Sequence, residues 1–171
     1  MMPDGSGMQH VPCEVIEKTF PLWVERSALR PDSGGPGRRR GGLGVQTDIR
    51  ILAEGTRLSV GMDRCRFAPP GLGGGGPGAR SQLLLIKGDG QAEEIRKVAG
   101  LPLGAGWRPS HRSGGGGLGP PFEREPELVQ ADVQQGYVLL AAARSGYRVA
   151  LDPATPEIDR AETHHLRAAS R

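Results

Sequence analysis

Three glycine-rich stretches limit what this chain can fold into. They lie at 31–44 (PDSGGPGRRRGGLG), 68–80 (APPGLGGGGPGAR) and 104–121 (GAGWRPSHRSGGGGLGPP). Glycine carries a high entropy cost inside helices and strands, and proline lacks the N–H that both need, so each stretch reads as a loop. Only short segments remain between them. The 28 glycines and 15 prolines make up about a quarter of the 171 residues, while apolar residues are 36% and aromatics 4%. That apolar share is low against the ~45–50% of ordinary globular chains. A small core interrupted by long loops is expected.

The segments between the loops carry strand and short-helix patterns. Pro12 to Lys18 (PCEVIEK) reads as two helical turns that Phe20-Pro21 stops, because a residue before proline avoids helical geometry. Trp23 to Leu29 reads as an irregular strand with Trp23 as a core anchor. From Leu43 the period becomes two: Leu43, Val45, Thr47, Ile49 and Ile51 share one face, and Leu58, Val60 and Met62 share a face on the return. A turn at Glu54-Gly55 predicts a hairpin pairing Ile51 with Leu58 and Ile49 with Val60. A second hairpin is expected from Ser81–Lys87 turning at Gly88-Asp89-Gly90 into Ala92–Val98. Helices are expected from Glu125-Pro126 to a Gly136 cap, over Tyr137–Arg144 with Gly146 ending it, and after Asp159, whose spacing to Glu162 is that of a capping box. The expected fold class is α+β, mainly antiparallel β-hairpins with long Gly-rich loops and short C-terminal helices. The expected organisation is a mobile N-terminus over 1–10, one region over 11–150, and a C-terminal tail with a marginal helix over 151–171.

Charge and motifs exclude several function classes. The net charge of +3 is small, and the one basic run, Arg38-Arg39-Arg40, has no aromatics interleaved with it, so no nucleic-acid binding is expected. No apolar run approaches the ~20 residues of a spanning helix, and no apolar core marks a leader peptide. With two cysteines and no CxxC, free thiols and a cytoplasmic location are expected. Gly71-Gly73-Gly76 and Gly114-Gly116-Gly119 match GxGxxG, but prolines follow both where a phosphate-holding helix would have to begin. No P-loop occurs. His164 and His165 are adjacent, not one turn apart, and no His/Cys/carboxylate set has zinc spacing, so no metal or cofactor is expected on this chain.

The most chemical-looking cluster is Asp63-Arg64-Cys65-Arg66, at the end of a strand. Two arginines beside a thiol favour its thiolate, which makes these four residues the catalytic candidates. The competing reading is a surface ion-pair cluster around an inert cysteine.

RPDSGGPGRRRGGLG at 30–44 resembles the RPDSGGxGxxRGGxG pattern of the hydantoinase B/oxoprolinase family. Three further stretches resemble the family in the same order. VPCEVIEKTFPLWVER is similar to NTPVExxExxxPLxVxx. The residues from Asp63 to Gly78 are similar to DRxRxxPxGxxGGxPG. SGGGGLGPPFEREPELVQADVQQGYV is similar to GGGGYGDPLxRDPxxVxxDVxxGxVS. The resemblance implies a C-terminal fragment of a hydantoinase B-type subunit whose parent reaction is ATP-dependent hydrolysis of a cyclic amide such as hydantoin or 5-oxoproline. It implies a hydantoinase A-type partner subunit, with ATP and a metal in the complete enzyme, and inactivity of the fragment by itself. The alternatives are a non-catalytic remnant or assembly module that docks the A-type partner, and a piece of a ketone carboxylase subunit. The sequence departs from the pattern at several places. Cys65 stands where the family commonly has His, and Leu139-Leu140 replaces a Ser-Pro helix start and so removes its cap. Residues 107–112 replace an alternating strand, and Pro109 is expected to break its ladder.

Overall fold

The computed structural model describes residues 11–168, so the segment 1–10 and the last three residues lie outside the described residues. The expectation of a mobile N-terminus falls on that segment. The chain alternates between two compact units. The first takes residues 11–28, Val45–Arg66 and Ser81–Arg112; the second takes Leu29–Gly44, Phe67–Arg80 and 113–168.

The first unit is a helix and two antiparallel sheets. Helix α1 (Cys13–Thr19) opens after Pro12 and closes at Phe20. Five strands form one sheet in the order β1 (Leu22–Leu29), β2 (Val45–Ile51), β7 (Arg108–Arg112), β4 (Gln82–Ile86) and β5 (Ala92–Glu94). A second sheet pairs β3 (Thr56–Gly61) with β6 (Lys97–Leu103). Its core is Ile51, Leu85 and Leu103, with Leu22, Leu58, Ile95, Leu101 and Trp107 packed against them. Each aliphatic side chain fully buried there contributes about 1.5–3 kcal/mol.

Three expectations are corrected here. The hairpin joining Ile51 to Leu58 does not form. Instead Leu58 faces Leu101 and Val60 faces Val98 in β6, while the Ile51 N–H donates to Trp107 O at 2.9 Å. Alternation correctly put Ile51 and Leu58 on core-facing sides, since both pack in one cluster. It specifies a face and leaves the partner strand open, so two strands joined by a turn entered different sheets. Trp23 is 52% exposed, and Trp107 takes the core role. Pro109 lies inside a central strand and faces Leu85 on the β4 side. The ladder with β2 runs from Gln46↔Arg112 to Asp48↔Ser110 and stops one residue before Pro109, so no bond is demanded where the N–H is missing. The second hairpin does form: Leu84, Leu85 and Ile86 face Glu94, Glu93 and Ala92, and Gly90 turns it at φ +83°. Its return strand ends at Glu94.

The second unit carries the first two glycine loops, residues 113–121 of the third stretch, whose earlier part is not a loop but includes β7, and the remaining helices. Helix α2 (Pro126–Gln134) starts with proline at its first position and ends at Gly136, whose φ of +72° is the expected left-handed cap. Helix α3 is Leu140–Tyr147, three residues later than expected, and Gly146 lies inside it. It ends instead at Arg148 in left-handed geometry. The shift follows from Tyr137 and Val138, whose N–H groups both donate to Asp132 O and tie that stretch into the turn that closes α2. Helix α4 (Arg160–Ala168) is half-boxed: Asp159 Oδ1 accepts from the Glu162 N–H at 2.9 Å, while the Glu162 carboxylate takes Arg144 instead of reaching back. Val129, Val138, Ala143, Tyr147 and Val149 form the core of this unit.

Candidate functional site

The three glycine loops fold onto one another through backbone alone. Ser33, fully buried, closes the first loop: its hydroxyl donates to Arg30 O and accepts from the Gly44 N–H at 2.8 Å. The Ser33 carbonyl accepts from Ala79 in the second loop at 3.0 Å and from Gly115 in the third at 3.3 Å. Gly76 donates to Pro36 O at 2.7 Å, Gly117 to Gly76 O at 3.0 Å, and Arg39 exchanges two 2.9 Å bonds with Leu118. Glycine is required by proximity. A Cβ on Gly44 would stand 1.9 Å from Ser113 O, and one on Gly116 would stand 1.9 Å from Pro70 O.

Beside this layer sits an ion cluster around a buried carboxylate. Asp132, on α2 and 7% exposed, accepts on one oxygen from Arg40 Nε at 3.0 Å and from Arg124 Nη2 at 2.8 Å. Arg40 also lies 5.5 Å from the Tyr137 ring centroid. Tyr147 is 2% exposed, and its hydroxyl has no hydrogen-bond partner among the described residues. Burial pushes its pKa up to about 12, with Asp132 adding to the rise and the Arg124 and Arg40 charges opposing it. At pH 7 the phenol is therefore a neutral group. Residues 92 apart in sequence make the Arg40–Asp132 bond, and sequence reading missed it. Both lie in the family-like stretches RRRGGLG and ADVQQGYV, which was the available signal.

The Asp63–Arg66 candidates follow β3. Asp63, Arg64 and Arg66 are exposed, and Arg64 takes φ +61°. Cys65 is 7% exposed, and its Sγ lies 3.5 Å from Met62 O and 3.7 Å from Asp63 O. The thiol is thus turned toward backbone carbonyls, away from the exposed side chains beside it. Among the described residues no three His, Cys, Asp or Glu side chains are grouped to hold a metal ion.

The family model described as hydantoinase B/oxoprolinase matches residues 4–121. The chain belongs to this family. It is 34% identical over 167 residues to the caprolactamase subunit beta of Pseudomonas jessenii, covering 91% of this chain and 28% of that one. The crystal structure of the ATP-dependent caprolactamase from the same organism superposes with a TM-score of 0.78 at 29% identity, covering 92% of this chain and 28% of that chain. A nucleotide-free acetone carboxylase structure shares the fold, with a TM-score of 0.83 at 22% identity over 94% of this chain and 26% of that one. The family member described here spans roughly a quarter of the length of the curated relatives it matches. No helix among the described residues is long and apolar enough to cross a membrane.

Proposed function

We propose that this chain is the C-terminal region of a hydantoinase B/oxoprolinase-type subunit that takes part in ATP-dependent hydrolysis of a cyclic amide, of the hydantoin or 5-oxoproline type, together with a hydantoinase A-type partner. The observation that carries the reading is the convergence of the loops at 31–44 and 68–80 with residues 113–119 in one backbone-bonded layer. Three of the four stretches that resemble the family contribute to that single substructure. The identity to a caprolactamase subunit, 34% against 28% for an acetophenone carboxylase subunit, each along 91% of the chain, favours cyclic-amide chemistry over ketone carboxylation. In this reading ATP and a metal belong to other parts of the complete enzyme. This chain then supplies a rigid wall and a neutral, buried phenol beside an Arg-Asp-Arg cluster. Asp63, Arg64, Cys65 and Arg66 remain the proposed reactive candidates, with a cytoplasmic location.

The test is reconstitution of the full-length subunit with an A-type partner, followed by assay of hydantoin, 5-oxoproline and caprolactam with ATP. Ring-opened product formed in step with ADP supports the reading. ATP-dependent carboxylation of acetone or acetophenone, without ring opening, transfers the chain to the carboxylase branch. Stable assembly without either turnover leaves a docking module.

A further inference from the structure

The first glycine loop and the turn before α2 place four guanidinium groups around one cleft. Arg38, Arg39, Arg40 and Arg124 line it with Glu123 and Glu125, and its volume is about 440 Å³. That is the size range of small-molecule pockets, ~300–1,000 Å³. Most of the charge there is already committed. Arg38 pairs with Glu123 at 3.5 Å, and Arg40 and Arg124 share the Asp132 carboxylate. Arg39 differs. Its backbone is fixed by the paired bonds to Leu118, yet its exposed side chain has no ion-pair partner among the described residues. Of the four arginines, Arg39 alone has no carboxylate partner among the described residues, and Glu125 is the one lining carboxylate that pairs with none of them.

Like charges confined in a concave site repel one another, and an anion entering it relieves that repulsion. Guanidinium is a planar fork that engages pairs of oxygens. Arg39 offers an unpaired fork and the exposed Arg38 beside it keeps nitrogens beyond the one that meets Glu123, whereas Arg124 donates to Asp132 and to the Arg38 carbonyl and adds only its charge. A tetrahedral oxyanion can present oxygen pairs to both Arg39 and Arg38, whereas a planar carboxylate presents one. We propose that this cleft binds a phosphate group, free or carried by a small molecule, with Arg39 as its principal contact. The inference rests on the arginine geometry and is independent of the reaction proposed above.

The test is titration of this chain with inorganic phosphate and, in parallel, with pyrophosphate and acetate, followed by amide NMR. Saturable shifts confined to residues near 38–40 and 124, weakening as salt rises, are the expected result. Arg39→Gln should weaken phosphate binding about tenfold or more, equivalent to ~1.4 kcal/mol, and leave the melting temperature unchanged. Arg26→Gln, at an exposed arginine of the first unit, should leave binding as in the parent chain. The proposal is overturned by an absence of saturable shifts, by unchanged phosphate binding in Arg39→Gln, or by acetate binding as tightly as phosphate. None of these readouts involves turnover, so failure here and failure of the proposed reaction are separable.

Discussion

Different physics holds each unit together internally. The first is built of strands whose side chains meet: Leu85, Ile51 and Leu103 are 1–3% exposed, and the ladders bring them together. The second has a helical core, but its loop layer is backbone against backbone, with carbonyls such as Ser33 O serving two loops at once. Side-chain packing is graded, because neighbours relax around a smaller residue. Backbone contact at van der Waals limits is not, because neither carbonyl has anywhere to go. The two regions should therefore respond differently to the loss or gain of a single methyl group.

The sharpest way to break that comparison is to add one carbon to the loop layer. Gly44→Ala places a Cβ against the Ser113 carbonyl and should destabilise the chain by about 4 kcal/mol or more, in the range reserved for gross steric or burial faults. Gly42→Ala, two residues away in the same loop, meets nothing within 4 Å and should stay within about 0.5 kcal/mol of the parent. Urea denaturation of the pair reads the difference directly. Equal stability of the two variants would mean that the layer yields and that the distinction between the units is wrong.

Next in size is the ion cluster. Asp132→Asn leaves the half-buried Arg40 and Arg124 without their shared counter-charge, and removing one partner of a fully buried pair costs about 3–5 kcal/mol, which is the upper limit here. Asp132→Asn keeps the shape of the side chain, so a loss below about 1 kcal/mol by urea denaturation would show that solvent already screens the two arginines. Leu85→Ala in the first unit should cost about 2–5 kcal/mol, towards the lower end if Ile51 and Trp107 close the space it leaves. Unlike Gly44→Ala, it should keep the cooperative transition, with a shifted midpoint and an unchanged slope.

How much of this was legible in the sequence depends on the range of the interaction. Local chemistry was legible: Pro126 opening α2, Gly136 closing it, the Gly88–Gly90 turn, and the core-facing sides of β2 and β3 are all decided within a few residues. Partner choice was not, which is why Ile51 was joined to Leu58 when the ladder lay with Trp107 and β7. Pro109 shows the same limit from the other side, since a local rule against proline in strands gave way where one ladder happened to end. For the candidate site, the motif segments were legible but their meeting was not. Arg40 and Asp132 are 92 residues apart and meet only in the folded chain, and no periodicity encodes that. The cluster at Asp63–Arg66 drew attention through its charge, while the thiol at its centre faces carbonyls.

The smallest predicted effect separates the units by pH. His111 lies on β7, opposite Thr47 on β2 and Leu83 on β4, and neither of these carries charge. Its side chain is exposed at the surface, yet the loss of part of its hydration among the neighbouring strands lowers its pKa from the ordinary 6.5. The unfolded chain therefore binds a proton at this site more readily than the folded one. The stability that the neutral imidazole contributes is fully present above about pH 6.5 and declines as pH falls below that value toward the lower folded pKa. His111→Gln removes the proton-binding group and should flatten that part of the stability–pH curve while leaving the plateau above pH 7 nearly unchanged. Denaturation midpoints at pH 5, 6 and 7 for both proteins measure it. A slope that persists in His111→Gln would move the titrating group elsewhere in the molecule. A steeper loss in the parent than one proton can produce would show that acid opens more of the first unit than a single strand.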